Sequence, residues 1–465
     1  MSKDGNNSNK CPTCGRPTHK ESKYCIFHAS AEEKTEEEFK NALKKFIEEI
    51  KIKNIVYDFM GFVFIGNNDF RKDYNVKHFN NLVRFDSAIF HGKTSFSGIT
   101  FNDYAIFMRT TFYEDAEFIG VNFQHDAIFN YANFNKVHFN ATNFKWNAIF
   151  NESSFKWAFF PLVNFYGNAE FGDLKKLERM HFTEAKFSSG ISALFGFKKG
   201  KATFNGTLLE NISLSLKLGK DATIDFKNTR LRNTNIKQRD LEGHIIQENE
   251  GDFIQTKEIY LLIKNNFHSI GRYDDESWAF TKERDMERMS KSFYSLLSKY
   301  KKYSLFKTIL KKSNLLKKVI LKLKIFRKWL FSKKAIEWLN LSISDYIYQY
   351  GENPRRVIRF ALIVIFSFAL ILNLSGIVNS DKTNLIIEFI KESHGDEYTL
   401  KYFGPILGSF LNCLYFSVVT FTTLGYGDFQ PAVGWSRFFV SLESLIGAFT
   451  MALFVYTFAR RTGGR

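Results

Sequence analysis

The sequence predicts a multidomain chain: a stacked β-solenoid, then a helical connector, then an all-α membrane unit of two spans. Three observations carry this. Phe recurs at gaps of five or six residues from Phe79 to Phe171, a period that fits neither a helix nor a plain strand. Phe360 to Asn379 holds no charged residue and is long enough to cross a bilayer as a helix. A second apolar stretch, Trp435 to Ala459, carries only Arg437 and Glu443 as charges.

With 465 residues the chain exceeds one ordinary domain. Its 53 Phe ask for a repeat, and its net charge of +17 points to phosphate-bearing partners, either nucleic acid or an anionic membrane face. The N-terminus has no apolar h-region, so no secretory signal is expected.

Residues 1–30 read as a zinc knuckle. Cys11 and Cys14, then Cys25 and His28, form two ligand pairs with two-residue gaps. Zinc prefers four tetrahedral N/S ligands, and four protein ligands leave no open position, so the site is expected to be structural. His19 is a rival fourth ligand. Three Cys in so short a stretch argue for metal over disulfides, and so for a reducing compartment. Residues 31–55 follow as an amphipathic helix with Phe39, Leu43, Phe46, Ile47 and Ile50 on one stripe.

Residues 56–245 form the solenoid. Two positions before each Phe sits a smaller residue, as in Val83, Ala88, Thr94, Ile99 and Ala105. One compact and one bulky side chain per short side can both point inward, so that the rings stack along the axis. Ala132-Asn133-Phe134 and Thr142-Asn143-Phe144 resemble the pentapeptide-repeat family, whose signature is Ala-(Asp/Asn)-(Leu/Phe)-x-x. The resemblance implies a right-handed, four-sided β-helix. The six-residue gaps depart from it: either alternate corners carry a bulge or the coil is not square. Register weakens after Phe171 and partly returns at Phe226, Leu231, Ile236 and Leu241, while Gly190 to Gly219 does not thread. Some members of that family mimic DNA, which asks for an acidic face. Charges here are near balance, so a rigid scaffold or a sensor of a ligand or protein fits better. Function does not follow from such a fold.

Residues 246–350 read as a helical basic linker. Ile254 to Phe267 and Asp275 to Leu297 are expected as two helices joined by a turn at Ser269–Tyr273. Residues 299–334 hold no acidic residue and interleave Lys and Arg with Leu, Ile, Phe and Trp. Such a helix suits an anionic membrane surface, with each nearby cation worth about 1 kcal/mol. The adjoining spans favour lipid, and no nucleic acid is expected. Gln349 to Arg356 resembles a junction that recurs in bacterial membrane proteins with pentapeptide repeats. There Pro354 starts the first span, and Ile336 to Tyr348 lies along the interface.

Residues 351–465 are the membrane unit. Arg355, Arg356 and Arg359 precede the first span, and Arg460, Arg461 and Arg465 close the second. The positive-inside rule then puts both termini in the cytoplasm of a multi-pass plasma-membrane protein. Ile406 to Thr422 suits a re-entrant helix, followed by Thr422-Thr423-Leu424-Gly425-Tyr426-Gly427-Asp428. Irregular backbone at membrane depth is tolerated only where it is buried in protein or lines a water-filled path.

These last 110 or so residues resemble potassium channels with two transmembrane helices per subunit. The resemblance implies a homotetramer whose four loops replace the hydration shell of K+. The ion sites would be carbonyls of Thr423, Leu424, Gly425 and Tyr426 with the Thr423 hydroxyl, followed by Gly427 and Asp428. Leu424 stands where the family has Val or Ile. Val419 stands where some members have a Glu that clamps the aspartate. Gly447 falls at the family's inner-helix hinge, and close helix packing is the alternative. Glu443, one turn earlier, is expected behind the filter bonded to a hydroxyl such as Thr420, with Arg437 or a surface position as alternatives. No Arg-periodic span precedes the first, so no voltage sensor is expected. Gating is then expected through the cytoplasmic β-helix, by an unknown ligand or protein. A scaffold anchored by a poorly conducting module is the rival. An enzyme is discounted for lack of a nucleophile–base pair or an open metal site.

Overall fold

The computed structural model describes residues 10–302, 315–379, 403–432 and 434–462. The chain divides into two compact units, Met1–Met286 and Glu287–Arg465.

The first unit is a β-solenoid whose short strands all pair in parallel with the coil before and after, giving eight stacked strands on one side. Every Phe from Phe85 to Phe171 named by the repeat is buried, and so are the compact residues two positions before each. The rings build four columns, so the coil is four-sided. Phe85, Phe107, Phe129 and Phe150 stack at 4.7–4.9 Å. The other columns run through Phe90, Phe112 and Phe134, through Phe96, Phe118 and Phe139, and through Phe79, Phe101 and Phe123. The compact Thr110 and Ser153 donate their hydroxyls to a carbonyl of the preceding coil, Thr110 to Phe85 at 2.7 Å and Ser153 to Phe129 at 2.6 Å, while Thr94 donates within its own coil to Gly92 at 3.2 Å. This meets the need of a buried hydroxyl for a partner.

Two kinds of corner explain the uneven gaps. After Phe85, Phe107 and Phe129 the chain makes a turn closed by an i→i+3 bond, as from Ala88 N–H to Phe85 O. The third turn residue is left-handed, at Ser87, Arg109 and Tyr131, as a type II turn requires. These sides hold five residues. The intervening corners take the sixth. Between Phe112 and Asp115 the register shifts by one residue against Phe134 and Lys136, a β-bulge. At this corner the sixth residue is a bulge, as the bulged-corner reading has it.

The stretch that does not thread in sequence, Gly190 to Gly219, belongs to two long strands, Ser192–Thr203 and Ser213–Asp225, paired in register apart from one shift. The ring columns continue there, Phe195 over Phe171 at 5.1 Å and Phe204 over Phe182 at 5.2 Å, but the long strands widen the spacing between them. A Cβ at Gly200 would lie 2.3 Å from the Leu177 carbonyl, so this backbone lies directly on the coil below.

Both solenoid ends are covered. α1 (Glu36–Lys53) starts at a capping box between Thr35 and Glu38. Phe39 of α1 packs edge-on to Phe64, and Phe27 of the knuckle stacks on Phe62 at 4.6 Å. At the far end come a helical turn, α2 (Ile246–Asn249), then α3 (Phe253–Ser269). Asn266 exchanges two hydrogen bonds at 2.9 Å with the Thr234 backbone. α4 (Tyr273–Lys291) follows. The single helix expected over Asp275–Leu297 is broken: Ser292 turns back on Met289, and α5 (Phe293–Lys302) begins anew.

The second unit contains α6 (Leu315–Leu330), α7 (Lys333–Tyr348), α8 (Pro354–Ser375), α9 (Phe403–Phe421) and α10 (Trp435–Thr462). α8 and α10 are long and apolar enough to cross a membrane. The first span ends earlier than its apolar run. Gly376 is left-handed and breaks α8, and Ile377–Asn379 becomes a strand. Residues 303–314 of the basic stretch and 380–402 of the loop between spans lie outside the described residues.

Candidate functional site

The loop Thr422–Asp428 is held at both ends. α9 packs against α8 and α10, with Cys413, Phe416, Ser417, Val419 and Phe421 buried. Its last turn reaches the loop through Leu424 N–H donating to Val419 O at 3.0 Å and Thr422 Oγ1 to Val418 O at 2.7 Å. Beyond the loop, strand Phe429–Pro431 pairs antiparallel with Ile377–Asn379. Ser436 Oγ donates to Gly376 O at 2.7 Å. The loop therefore spans two fixed points, the helix end and the strand end.

Within the loop the backbone alternates in hand. Thr423, Gly425 and Gly427 have φ of 57°, 59° and 80°, while Leu424 and Tyr426 between them lie outside the positive-φ region. Alternation of this kind turns successive amide N–H groups to one side and carbonyls to the other. Two of the three left-handed positions are glycine, where that conformation carries no Cβ penalty. α9 also aims its C-terminal, negative dipole end at the loop.

Behind the loop, Gly447 of α10 faces the end of α9. A Cβ there would lie 2.1 Å from the Phe421 carbonyl oxygen. One turn earlier on each helix, Glu443 meets Ser417, and the Ser417 hydroxyl also lies 2.9 Å from Ile365 O of α8. Glu443 is fully buried, and its second oxygen has no partner among the described residues. The bond expected from Thr420 thus goes to Ser417. The close approach at Gly447 fixes where the helices touch, and stepping back four residues on each brings these two side chains together.

The knuckle also assembles. The donor atoms of Cys11, Cys14, Cys25 and His28 lie within 4.8 Å of one another. Cys14 Sγ to Cys25 Sγ is 3.5 Å and Cys25 Sγ to His28 Nδ1 is 3.2 Å, near the edge of about 3.3–3.8 Å that a tetrahedron of Zn–S and Zn–N bonds has. His28 Nε2 sits 2.9 Å from Met60 O, which fixes the tautomer that leaves Nδ1 as the donor atom. Burial raises the Cys11 thiol, but backbone bonds from Cys25, Thr13 and Cys14 outweigh it and hold it at about 6. Burial, with Cys25 beside it, pushes Cys14 up to about 11. This Cys3His set can hold a metal ion. His19, the rival ligand, lies 3.9 Å from Glu38 and outside the cluster.

Sequence reasoning missed a contact at the linker–span junction. Gln349, Tyr350 and Gly351 all have positive φ, so the chain turns sharply between α7 and α8. Arg460, near the end of α10, bonds Glu352 at 2.8 Å and the Tyr350 carbonyl at 3.2 Å. A Cβ at Gly351 would lie 3.1 Å from both Arg460 and Tyr456. The signal was the junction motif itself, whose Gly and Glu have this use.

A family model for ion channels matches residues 387–463, and a model for pentapeptide repeats matches residues 85–132. No curated protein and no solved structure matches the chain. The chain thus carries an ion-channel domain in its membrane unit and pentapeptide repeats in its solenoid.

Proposed function

We propose that the chain is one subunit of a tetrameric, potassium-selective channel, gated through its cytoplasmic β-helix by a signal the sequence does not name. One observation carries this reading. The segment Thr423–Gly427 alternates in hand between two anchored ends, directly after a helix packed between two membrane-length helices. Four such loops around an axis would present rings of carbonyls from Thr423, Leu424, Gly425 and Tyr426 to a dehydrated K+. Asp428 would close the outer end. A single chain supplies a quarter of that pore, and Leu424 and Tyr426, 58% and 67% exposed here, would then turn to neighbouring copies.

In the same reading the knuckle holds structural Zn2+ and covers the β-helix. The domain limits are those drawn from the sequence. Both termini lie on the cytoplasmic side of the plasma membrane, and residues 299–334 lie on anionic lipid. The test is ion flux in proteoliposomes under potassium and sodium gradients, with Gly425→Ala beside the parent. A Cβ at φ 59° strains the loop. Potassium-selective flux that falls at least about tenfold in the variant is expected, since about 1.4 kcal/mol of strain in the conducting loop suffices for that factor. Flux without preference for potassium would refute the reading.

A further inference from the structure

Within the second unit, α5, α6 and α7 leave a cavity of about 640 Å³, inside the range of about 300–1,000 Å³ usual for small-molecule sites. Its walls are apolar and mainly aromatic, including Phe293, Phe326, Trp329, Ile336, Trp338 and Leu339. The rings brace one another. Phe293 meets Phe326 edge-on at 5.2 Å, and Trp329 meets Trp338 at 5.6 Å. The indole N–H of Trp329 is taken up by the Lys291 carbonyl at 2.9 Å, so its ring offers the cavity only apolar surface.

The surroundings are cationic. Arg327, Lys328, Lys333 and Lys334 are exposed on the two helices that form the wall. The nearby carboxylates Glu287 and Glu337 are both engaged by Lys291, at 3.2 and 2.8 Å. Asp345 takes Arg288 at 3.4 Å and Arg356 at 2.9 Å. The last of these bonds ties α7 to the start of the first span across the turn that joins them, which keeps the cavity-lining helix beside the base of that span.

We propose that this cavity takes an acyl chain of an anionic phospholipid from the membrane leaflet facing the linker, with its headgroup on Lys333, Lys334 and their neighbours. An apolar, aromatic-walled cavity accepts a hydrocarbon tail. A basic rim prefers phosphodiester headgroups that carry net charge. Trp at this depth suits an interface, where one face is apolar and the other wet. The inference rests on the reading of the linker as lying against the membrane, not on ion selectivity.

The experiment is native mass spectrometry of the full-length protein, extracted in mild detergent from liposomes of equal parts dioleoyl phosphatidylglycerol and dioleoyl phosphatidylcholine. Retained phosphatidylglycerol should exceed phosphatidylcholine at least about fivefold, since one to two cations near a phosphate supply about 1 kcal/mol each. Ala335→Phe, which fills the cavity, should remove the bound lipid. The pair Lys333→Gln and Lys334→Gln leaves the cavity walls intact and should bring the two lipids toward equal retention. Equal retention in the parent protein overturns the proposal, as does unchanged phosphatidylglycerol in both variants. Loss of all lipid, with copies crosslinked through Phe293 and Trp329 positions, also overturns it, because a second copy then fills the cavity. If Ala335→Phe does not fold, the lysine pair alone decides. The readout is bound lipid, so a protein that conducts nothing still tests it.

Discussion

At the scale of single residues, the membrane unit depends on one absent side chain. Gly447 lets α10 approach α9 until backbone meets backbone, with no room for a Cβ beside the Phe421 carbonyl. Because Phe421 ends the helix that feeds the loop, a displacement there reaches Thr423 within two residues. Gly447→Ala should therefore cost about 1–3 kcal/mol of membrane-unit stability, as overpacking does, and should reduce flux. Thermal dissociation of the oligomer in detergent, beside liposome flux, checks this. A hinge role alone would change flux while leaving the dissociation midpoint in place. Glu443 is a second case. Its contact is with Ser417, and Ser417 also reaches Ile365 O, so the carboxyl ties three helices. Glu443→Ala should leave Ser417 with Ile365 O alone, untie α10 from the other two helices and destabilise the unit by about 1–3 kcal/mol, seen as a lower midpoint. Glu443→Gln keeps an oxygen that can accept from the Ser417 hydroxyl and should lower it less.

At the scale of elements, the solenoid is a sum of neighbour contacts. Phe129 lies 4.8 Å above Phe107 and 4.7 Å below Phe150. Phe129→Ala opens a gap in one column and should cost about 3–5 kcal/mol. Amide exchange should rise first in the coils bearing Phe107 and Phe150, and last at the covered ends. The knuckle and the first coil are joined by Val63 N–H to Phe27 O at 2.8 Å and by the Phe27–Phe62 stack. Removing metal with a chelator should then raise exchange at residues 57–64 and leave the central coils protected. Uniform exchange throughout would refute the nearest-neighbour account. Much of this architecture was legible in the sequence. A Phe preceded two positions earlier by a compact residue is a direct record of which side chains face inward, and the sixth residue records the bulged corners. Gly190 to Gly219 was not legible, because its stacked rings Phe187, Phe195 and Phe204 stand eight and nine residues apart, the long strands adding residues between corners and so hiding the five-to-six period. The loop Thr422–Asp428 was legible, because its glycines answer to backbone hand. The partner of Glu443 was not, since it depends on where two helices cross, and no local pattern encodes a crossing point. The end of the first span was missed for a similar reason. Ile377 and Val378 are as apolar as a span requires, and only Gly376 and the pairing with Phe429–Pro431 turn them into a strand.

At the scale of the whole molecule, under the proposed function a signal from the solenoid has one covalent route into the first span, through α7 and the turn that follows it. The turn is not a slack tether. Its left-handed residues Gln349 to Gly351 are held against the end of α10 by Arg460, which binds the nearly buried Glu352 and the Tyr350 carbonyl together. Under the proposed function, movement of the linker would thereby reach the end of the second span as well as the start of the first. Charge-assisted bonds of this kind are worth about 1.5–3 kcal/mol, and 1.4 kcal/mol already moves a two-state equilibrium tenfold. Arg460→Glu should therefore destabilise the membrane unit by about that amount and shift flux several-fold from the parent. Glu352→Arg should do the same. The double swap restores opposite charges across the contact and should recover more than half of both losses. Arg460→Lys is the sharper variant: it keeps the charge but loses the planar fork that serves carboxylate and carbonyl at once, so it should retain stability better than it retains coupling. Flux and dissociation midpoints measured together on all four variants check this. Swap and single variants that behave alike would mean that the linker reaches the spans by another path.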